Sequence, residues 1–270
     1  MPELPEVETT RRGLMPHLTQ RRITAVTLRR PDLRWPIPAE VRELLPGEKI
    51  LAVRRRAKYL LLDTHAGSAL LHLGMSGVLR ILPADSAIGA HDHVDIALDS
   101  GRVLRFTDPR RFGCLLWQAT GETHDLLRDL GPEPLSDDFD GEYLFALSRG
   151  RKAPVKTFVI DQGIVVGVGN IYVAESLFRA GIAPTRAAGT ISRERYAKLA
   201  AAVKDILTHA IERGGTTLRD FLNADGAPGY FEQELFVYGR EGEPCKVCGR
   251  RIRDTRIGGR ASAWCGRCQK

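Results

Sequence analysis

The chain has 270 residues, enough for one large domain or two modest ones with a core each. Hydrophobic residues make up 43% and charged residues 27%, a globular composition that excludes a disordered chain. The formal net charge of +7 favours a polyanionic partner. Between Gly239 and Lys270 nine basic residues stand against three acidic ones, so most of the net charge lies there, beside four of the five cysteines. A basic, cysteine-bearing end reads as a nucleic-acid-binding module. The opening carries Glu3, Glu6, Glu8, Arg11 and Arg12, which excludes a secretory signal, and no apolar run approaches a membrane span. The expected compartment is the cytoplasm, where thiols stay reduced.

In chain order, Leu4, Val7, Leu14 and Leu18 share one helical face, predicting a helix from about Glu3 to His17 with Pro5 tolerated in the first turn. Short β-rich runs follow at Ile23–Leu28, Lys49–Arg55, Tyr59–Asp63, Ala69–Leu73, Val78–Leu82, His93–Leu98, Val103–Thr107 and Cys114–Gln118, with a short helix at Ala39–Leu45. Closely spaced strands punctuated by turn residues predict an antiparallel β-sandwich. Gly131-Pro132-Glu133-Pro134 reads as a linker. Helical patterns then occupy Gly141–Ser148, Pro154–Asp161, Ile171–Ala180 and Ser192–Arg213, before a glycine- and proline-bearing stretch at 223–229 expected to be mobile. The expected fold is α+β with two domains. The first, 1–130, is an antiparallel β-sandwich with an N-terminal helix; a linker at 131–136 leads to a helical domain at 137–234, and a zinc-bearing end covers 235–270.

The strongest local signal is Cys245-x2-Cys248-x16-Cys265-x2-Cys268, two close pairs that supply four thiolates for one tetrahedral zinc ion. Four protein ligands leave no open position, so the expected zinc is structural. The residues between the pairs, Arg250–Arg260, predict a basic hairpin suited to phosphates. Cys114 lies in an apolar run and reads as a small buried hydrophobe.

The start Met1-Pro2-Glu3-Leu4-Pro5-Glu6 admits two readings. Acidic residues and proline in a first helical turn are ordinary capping features. Alternatively, removal of Met1 exposes Pro2 as a secondary amine, disfavoured as a cation at a helix start and therefore nucleophilic. Its attack on a sugar aldehyde carbon gives an iminium with no N–H to lose, a lasting electron sink that promotes elimination of a β-phosphate. Glu3, next in the chain, is placed to move protons at the sugar ring oxygen. Lys58 is one of only eight lysines among 40 basic residues, against the reading of an arbitrary exposed strand position. Asn170 precedes a helix, where it is either an N-cap or part of a phosphate site. His91 and His93 stand two apart, too weak a pattern for a metal site. His17, His65, His124 and His209 read as surface residues.

Five segments in order carry a resemblance. They are Met1-Pro2-Glu3-Leu4-Pro5-Glu6-Val7-Glu8-Thr9; Lys58-Tyr59-Leu60-Leu61 with Leu71-His72-Leu73-Gly74-Met75-Ser76-Gly77; Asp108-Pro109-Arg110-Arg111-Phe112-Gly113; Gly167-Val168-Gly169-Asn170-Ile171-Tyr172; and the cysteine module. Together the chain resembles the formamidopyrimidine-DNA glycosylase (8-oxoguanine DNA glycosylase) family over essentially its whole length. The resemblance implies a β-sandwich, a helix–two-turn–helix domain and a zinc finger. It implies a bifunctional, monomeric repair enzyme in a bacterial cytoplasm, at the nucleoid when bound to DNA. Such an enzyme excises 8-oxoguanine and formamidopyrimidines from double-stranded DNA and cuts the abasic strand by β,δ-elimination.

By the same resemblance Pro2 is the Schiff-base nucleophile, Glu3 the acid, Lys58 the general acid for β-elimination and Arg260 the residue assisting δ-elimination. Met75 and Phe112 are suited to fill the stack left by a flipped base, and Arg110 to meet the orphaned cytosine. Asn170 takes a phosphate. His72, His91, Arg151, Lys156 and Tyr238 are expected DNA contacts, and 217–231 a lesion-reading loop. Two rival readings differ in kind: an endonuclease VIII-type enzyme acting on oxidised pyrimidines, and a non-catalytic binder of damaged DNA. Leu4 in the opening motif and the Met75, Arg110, Phe112 set favour the purine enzyme, and retention of Pro2, Glu3 and Lys58 argues against the binder. A third, a zinc-dependent transcription regulator, leaves the long β-rich domain unexplained.

The charge distribution predicts binding governed by counterion release. The logarithm of DNA affinity is expected to fall linearly with the logarithm of salt concentration, by about 0.9 per phosphate neutralised. Fluorescence anisotropy across a salt series checks this, and a flat plot contradicts it.

Overall fold

Leu4, Leu14 and Leu18 are each 0% exposed, and burying them fixes the first element, helix α1 (Leu4–Leu18), with about 1.5–3 kcal/mol available per leucine. In the computed structural model, which describes residues 2–215 and 235–270, α1 begins in a reciprocal capping box. Glu3 is the N-cap, its carboxylate accepts from the Glu6 amide, and its own N–H donates to Glu6 Oε2 at 2.8 Å. Pro16 removes one helical donor, and the helix stops two residues later.

The strands are β1 (Ile23–Leu28), β2 (Ala52–Arg56), β3 (Tyr59–Asp63), β4 (Gly67–His72), β5 (Val78–Pro83), β6 (Asp92–Leu98), β7 (Arg102–Thr107) and β8 (Cys114–Ala119), with helix α2 (Ala39–Leu44) after β1 and α3 (Asp125–Arg128) after β8. They form two antiparallel sheets, β1-β6-β7-β5 and β2-β3-β4-β8. One core joins them, with Val53, Leu60, Leu62, Leu71 and Leu115 from one sheet and Leu79, Val94, Ile96, Leu104 and Phe106 from the other, closed by Val7, Leu14 and Leu18 of α1. This is the expected sandwich. The strand expected from Lys49 starts three residues later because Lys49 and Ile50 pair with Arg21 and Arg22, the segment leaving α1.

Two buried carboxylates inside this unit are paired with arginines. Arg105 is 2% exposed on β7 and meets its cross-strand partner Asp95 twice, at 2.8 and 2.9 Å, while Arg29 completes Asp95 at 2.6 Å. Glu8 on α1 accepts from Arg11, Arg12 and Arg55, at 2.8, 2.9 and 3.1 Å. Arg55 also donates to the Ala57 carbonyl at 2.9 Å, so the β2–β3 turn, which carries Lys58, is tied to α1. Ala57 takes a positive φ of 54° to make that turn.

The described residues divide into two units, 2–128 with 213–215 and 129–212 with 235–270. Residue 215 belongs with the sandwich, where a Cβ on Gly215 would lie 3.0 Å from Glu6. The second unit contains α4 (Gly141–Ser148), α5 (Val155–Ile160), α6 (Asn170–Arg179), a 3₁₀ turn at Ala188–Thr190 and α7 (Arg193–Glu212). Its final hairpin is β9 (Arg253–Ile257) and β10 (Arg260–Trp264), joined through Gly258-Gly259. Asp140 caps α4 through the Tyr143 amide, and Gly141 lets α4 cross α7 closely, since a Cβ there would sit 2.4 Å from the Ala197 Cα. The 131–134 segment is bound to the unit through Gly131 N–H to Gln162 O and Val166 N–H to Pro132 O. The lesion-loop expectation at 217–231 and the mobile stretch at 223–229 lie outside the described residues.

Burial opposes ionisation of Glu8, but its hydrogen bonds to Arg11 and Arg12 and the charges of Arg11 and Arg55 lower its pKa from 4.5 to about 2. A depressed carboxylate pKa stabilises the fold above the unfolded value, and that stabilisation is lost as pH falls through the folded value, here between pH 4.5 and about 2. At about 1.4 kcal/mol per unit, reduced because the arginines are partly solvated, Glu8 contributes roughly 1–2 kcal/mol at neutral pH. Glu8→Gln is expected to lower Tm at pH 7 and to flatten its fall below pH 4.5. An unchanged melting profile over that range contradicts the assignment.

Candidate active site

The sandwich unit places Pro2 and Glu3 at the start of α1, both buried, Glu3 being 3% exposed. Lys58, 7% exposed, sits at the β2–β3 turn that Glu8 and Arg55 tie to the same helix. His72 ends β4 beside Tyr59, the first residue of β3, with ring centroids 4.8 Å apart. Its Nδ1 accepts from Gly74 N–H at 2.9 Å, which leaves the ring proton on Nε2. Burial, then the charges of Lys58 and Arg34, lower the His72 pKa to about 4, so the imidazole is neutral at physiological pH. Lys58 and His72 therefore sense each other electrostatically.

Two loops project from the sandwich. One follows β4 and carries Met75, 37% exposed; the other precedes β8 and carries Arg110, exposed, and Phe112, 46% exposed. The Arg110 guanidinium lies 4.9 Å from the Phe112 ring centroid. Asp32, Arg34, His72, Met75, Arg110 and Phe112 line a cavity of about 700 Å³. The nearby exposed His91 stands 6.5 Å from the buried His93, ring to ring. Cys114 is 1% exposed and burial pushes its thiol up to about 12, the inert hydrophobe expected of it.

The second unit gathers three of the expected residues. Lys156 on α5 is 1% exposed and its ammonium donates to Ala261 O at 2.9 Å and Ser262 Oγ at 2.6 Å on the final hairpin. Asn170 Nδ2 donates to the same Ala261 carbonyl at 3.1 Å. Arg260, the neighbour of Ala261, stays exposed at the start of β10. Lys156 thus anchors the hairpin from inside, and Arg151 is exposed before α5. Asn170 is the first residue of α6 and Gly169 is its N-cap, which corrects the reading of Asn170 as the cap. Gln162 holds the two turns between α5 and α6, accepting from Gly167 N–H at 2.9 Å and donating to Ile160 O at 3.0 Å.

Sequence reasoning passed over Glu175. It is 4% exposed on α6 and accepts from the amides of Phe236, Val237 and Tyr238 at 2.9, 2.9 and 2.8 Å. Burial pushes its carboxyl up against the pull of those three N–H bonds. The bonds fix the half-buried Tyr238. A lone acidic residue at one of the inward-facing positions of a helix was the available signal.

The four cysteine sulfurs of this unit lie within 4.8 Å of one another, with Cys245–Cys268 at 3.9 Å and Cys248–Cys265 at 3.5 Å. Tetrahedral zinc with bonds of about 2.3 Å needs sulfurs about 3.8 Å apart, so this donor set fits one structural zinc ion. Cys245 and Cys265 pack with Ala174, Val237, Ile252 and Ala263, which joins the metal centre to α6.

A β-sandwich with a proline at position 2, a helix–two-turn–helix unit and a basic four-cysteine hairpin define a DNA-binding protein of the base-excision class. Family models agree segment by segment: the formamidopyrimidine-DNA glycosylase N-terminal domain matches residues 1–115, its H2TH domain 130–222, and the zinc finger found in FPG and IleRS 242–270. A formamidopyrimidine-DNA glycosylase of Stenotrophomonas maltophilia is 72% identical over 270 residues, 100% of both chains. The MutM (Fpg) structure from Thermus thermophilus superposes with a TM-score of 0.90 at 39% identity, covering 99% of this chain and 98% of that one. Lactococcus lactis Fpg in complex with DNA containing Fapy-dG gives a TM-score of 0.91 at 30% identity, covering 99% and 100%. The chain belongs to the formamidopyrimidine-DNA glycosylase family.

Zinc removal is expected to unfold the hairpin and with it the support of Asn170 and Arg260, because metal binding and folding are coupled at such sites. Cys245→Ser should lower DNA affinity by about tenfold or more. Anisotropy on metal-assayed protein checks this, and full affinity in a zinc-free chain overturns it.

Proposed function

We propose that this chain excises oxidised purines, 8-oxoguanine and formamidopyrimidines, from double-stranded DNA and then cleaves the abasic strand as a lyase. Family membership supports the glycosylase reading, and the relative bound to Fapy-dG DNA supports the substrate class. The observation that carries the mechanism is the position of Pro2, directly before a helix whose Glu3 cap is locked by Glu6. Once Met1 is removed, the Pro2 amine stands at the positive end of α1, where protonation is disfavoured. It attacks the sugar anomeric carbon of a flipped nucleotide; the base leaves with a proton, and an iminium forms. Glu3 delivers a proton to the ring oxygen as the sugar opens.

Loss of a C2′ proton from the iminium expels the 3′ phosphate, and a second elimination expels the 5′ phosphate. Lys58 protonates in the first elimination and Arg260 assists the second. His72, neutral with Nε2–H available, donates to a phosphate oxygen. Asn170 at the start of α6 takes another, at the end of the helix whose dipole favours an anion. Met75 and Phe112, exposed on their loops, fill the vacated stack while Arg110 meets the orphan cytosine. His91, Arg151 and Tyr238 complete the DNA-contacting set, and the buried Lys156, expected to touch DNA, instead supports it by holding the hairpin. The zinc, held by Cys245, Cys248, Cys265 and Cys268, supplies no chemistry beyond cross-linking the hairpin.

Retaining Met1 turns the Pro2 nitrogen into an amide. Such protein is expected to lose both base release and borohydride trapping on an 8-oxoguanine:cytosine duplex while binding it with affinity within about threefold. Glu3→Gln should lose base release yet still cut a pre-formed abasic site. A trapped adduct from the blocked chain shows a different nucleophile, Lys58 being the first to test.

A further inference from the structure

We infer that Asp108 is the positioning residue that makes the two DNA-reading loops one rigid unit, and that opposite-base selectivity depends on it. The inference deepens the proposed function at the same site. Asp108 is 0% exposed and makes no contact that the proposed chemistry uses. Its Oδ1 accepts from Ser76 Oγ at 2.7 Å and from Arg110 N–H at 3.3 Å, and its Oδ2 accepts from Gly113 N–H at 2.8 Å. Its backbone joins a third segment, donating to His91 O at 3.0 Å, while its carbonyl faces His93 Nε2 at 2.9 Å. One buried carboxylate therefore links the Met75 loop, through Ser76, to both ends of the Arg110–Phe112 loop.

The backbone shows why this link is needed. The two loops touch main chain to main chain: a Cβ on Gly74 would lie 2.3 Å from Gly113 N and from Phe112 C. Gly113 is equally confined, its missing Cβ falling 2.6 Å from His72 O. Between Arg110 and Phe112, Arg111 holds a positive φ of 54°, a conformation that costs a non-glycine residue about 1 kcal/mol or more. Its N–H donates to Asp108 O at 3.2 Å, so the strained residue is retained by the same hub. That turn sends the exposed Arg110 and Phe112 outward together, with the guanidinium over the ring. A guanidinium reading one base edge must be held to within a fraction of an ångström, which an exposed side chain on an unbraced loop does not achieve.

Asp108→Asn is nearly isosteric but keeps a single acceptor oxygen, and its NH2 opposes either the Gly113 N–H or the Arg110 N–H, while the Ser76 hydroxyl can turn to accept. Ratios of kcat/KM for 8-oxoguanine opposite cytosine and opposite adenine measure selectivity, and cleavage of a pre-formed abasic strand reports the chemistry without base reading. Asp108→Asn is expected to reduce selectivity about tenfold while abasic cleavage falls less than threefold. Ser76→Ala, which removes both cross-loop bonds of that hydroxyl, the one it donates to Asp108 Oδ1 and the one it accepts from Arg110 N–H at 3.3 Å, should shift selectivity in the same direction by about threefold. In an Arg110→Ala background, Asp108→Asn should change selectivity no further, since it acts through that side chain. Equal losses on both substrates, additive effects with Arg110→Ala, or full selectivity in both Asp108→Asn and Ser76→Ala overturn the inference. If Asp108→Asn does not fold, as read by thermal melting, Ser76→Ala and its combination with Arg110→Ala decide alone. A parent enzyme that does not distinguish cytosine from adenine instead overturns the reading of Arg110 on which this rests.

Discussion

A nucleophile placed at a chain terminus has to be held still, and chain ends are where order is ordinarily lost. The sandwich unit meets this constraint with carboxylates. Glu3 and Glu6 close the first turn of α1 on itself, and Glu8 ties the next turn to Arg55 on β2. Val7, Leu14 and Leu18 sink the other face into the core between the sheets, and Leu4 is buried as well. The end that would carry the amine is thus attached to a helix packed into the sandwich core. Since Arg55 also holds the Ala57 carbonyl, Lys58 is positioned by the same ties. The proposed nucleophile, Pro2, and its proposed proton donor, Lys58, share one mechanical frame.

The same device recurs away from α1. Asp108 gathers two loops, Asp95 pairs twice with Arg105 across the sheet, and Glu175 accepts three consecutive amides. Each is a buried carboxylate with two or more donors, and Asp108 and Glu175 stand behind residues proposed to meet DNA, Arg110 and Tyr238. A buried carboxylate is costly unless its lone pairs are filled, so losing one donor leaves a large penalty rather than a weaker contact. That penalty makes loops behave as fixed structures. The exposed Arg110, by contrast, supplies charge in a position set by the residues behind it. Position and charge are therefore carried by different residues.

Much of this was legible in the sequence, and the physical reasons differ by element. Strand runs such as Ile23–Leu28 and Tyr59–Asp63 were readable to the residue because alternation and turn punctuation are local. The four cysteines were readable because ligand spacing is local too. Lys49–Leu51 was misread as strand because its partners, around Arg21, are chosen by the exit of α1, and α3 and the 3₁₀ turn are too short to leave a period. Asn170 looked like a cap because asparagine favours that place; Gly169 takes it instead, leaving the amide to reach Ala261 on the hairpin, a contact across 91 residues. Asp108 was visible only as a turn residue. Its hub role depends on Ser76 and His93, which no local pattern places beside it.

His72 shows how the frame extends to electrostatics. A histidine beside DNA would ordinarily gain a proton from the polyanion's field, and a charged imidazole beside Lys58 would repel it. Here burial, Lys58 and Arg34 together hold its pKa at about 4, and Gly74 N–H occupies Nδ1, so the ring presents a single N–H of fixed direction. Gly74 is also the point where the Met75 loop touches Gly113. The amide that fixes the imidazole tautomer thus belongs to the loop that Asp108 braces, and a neutral, oriented donor at His72 follows from the same geometry that aims Met75, Arg110 and Phe112. The proposed base-reading loops and the proposed phosphate donor thus meet at one residue, Gly74.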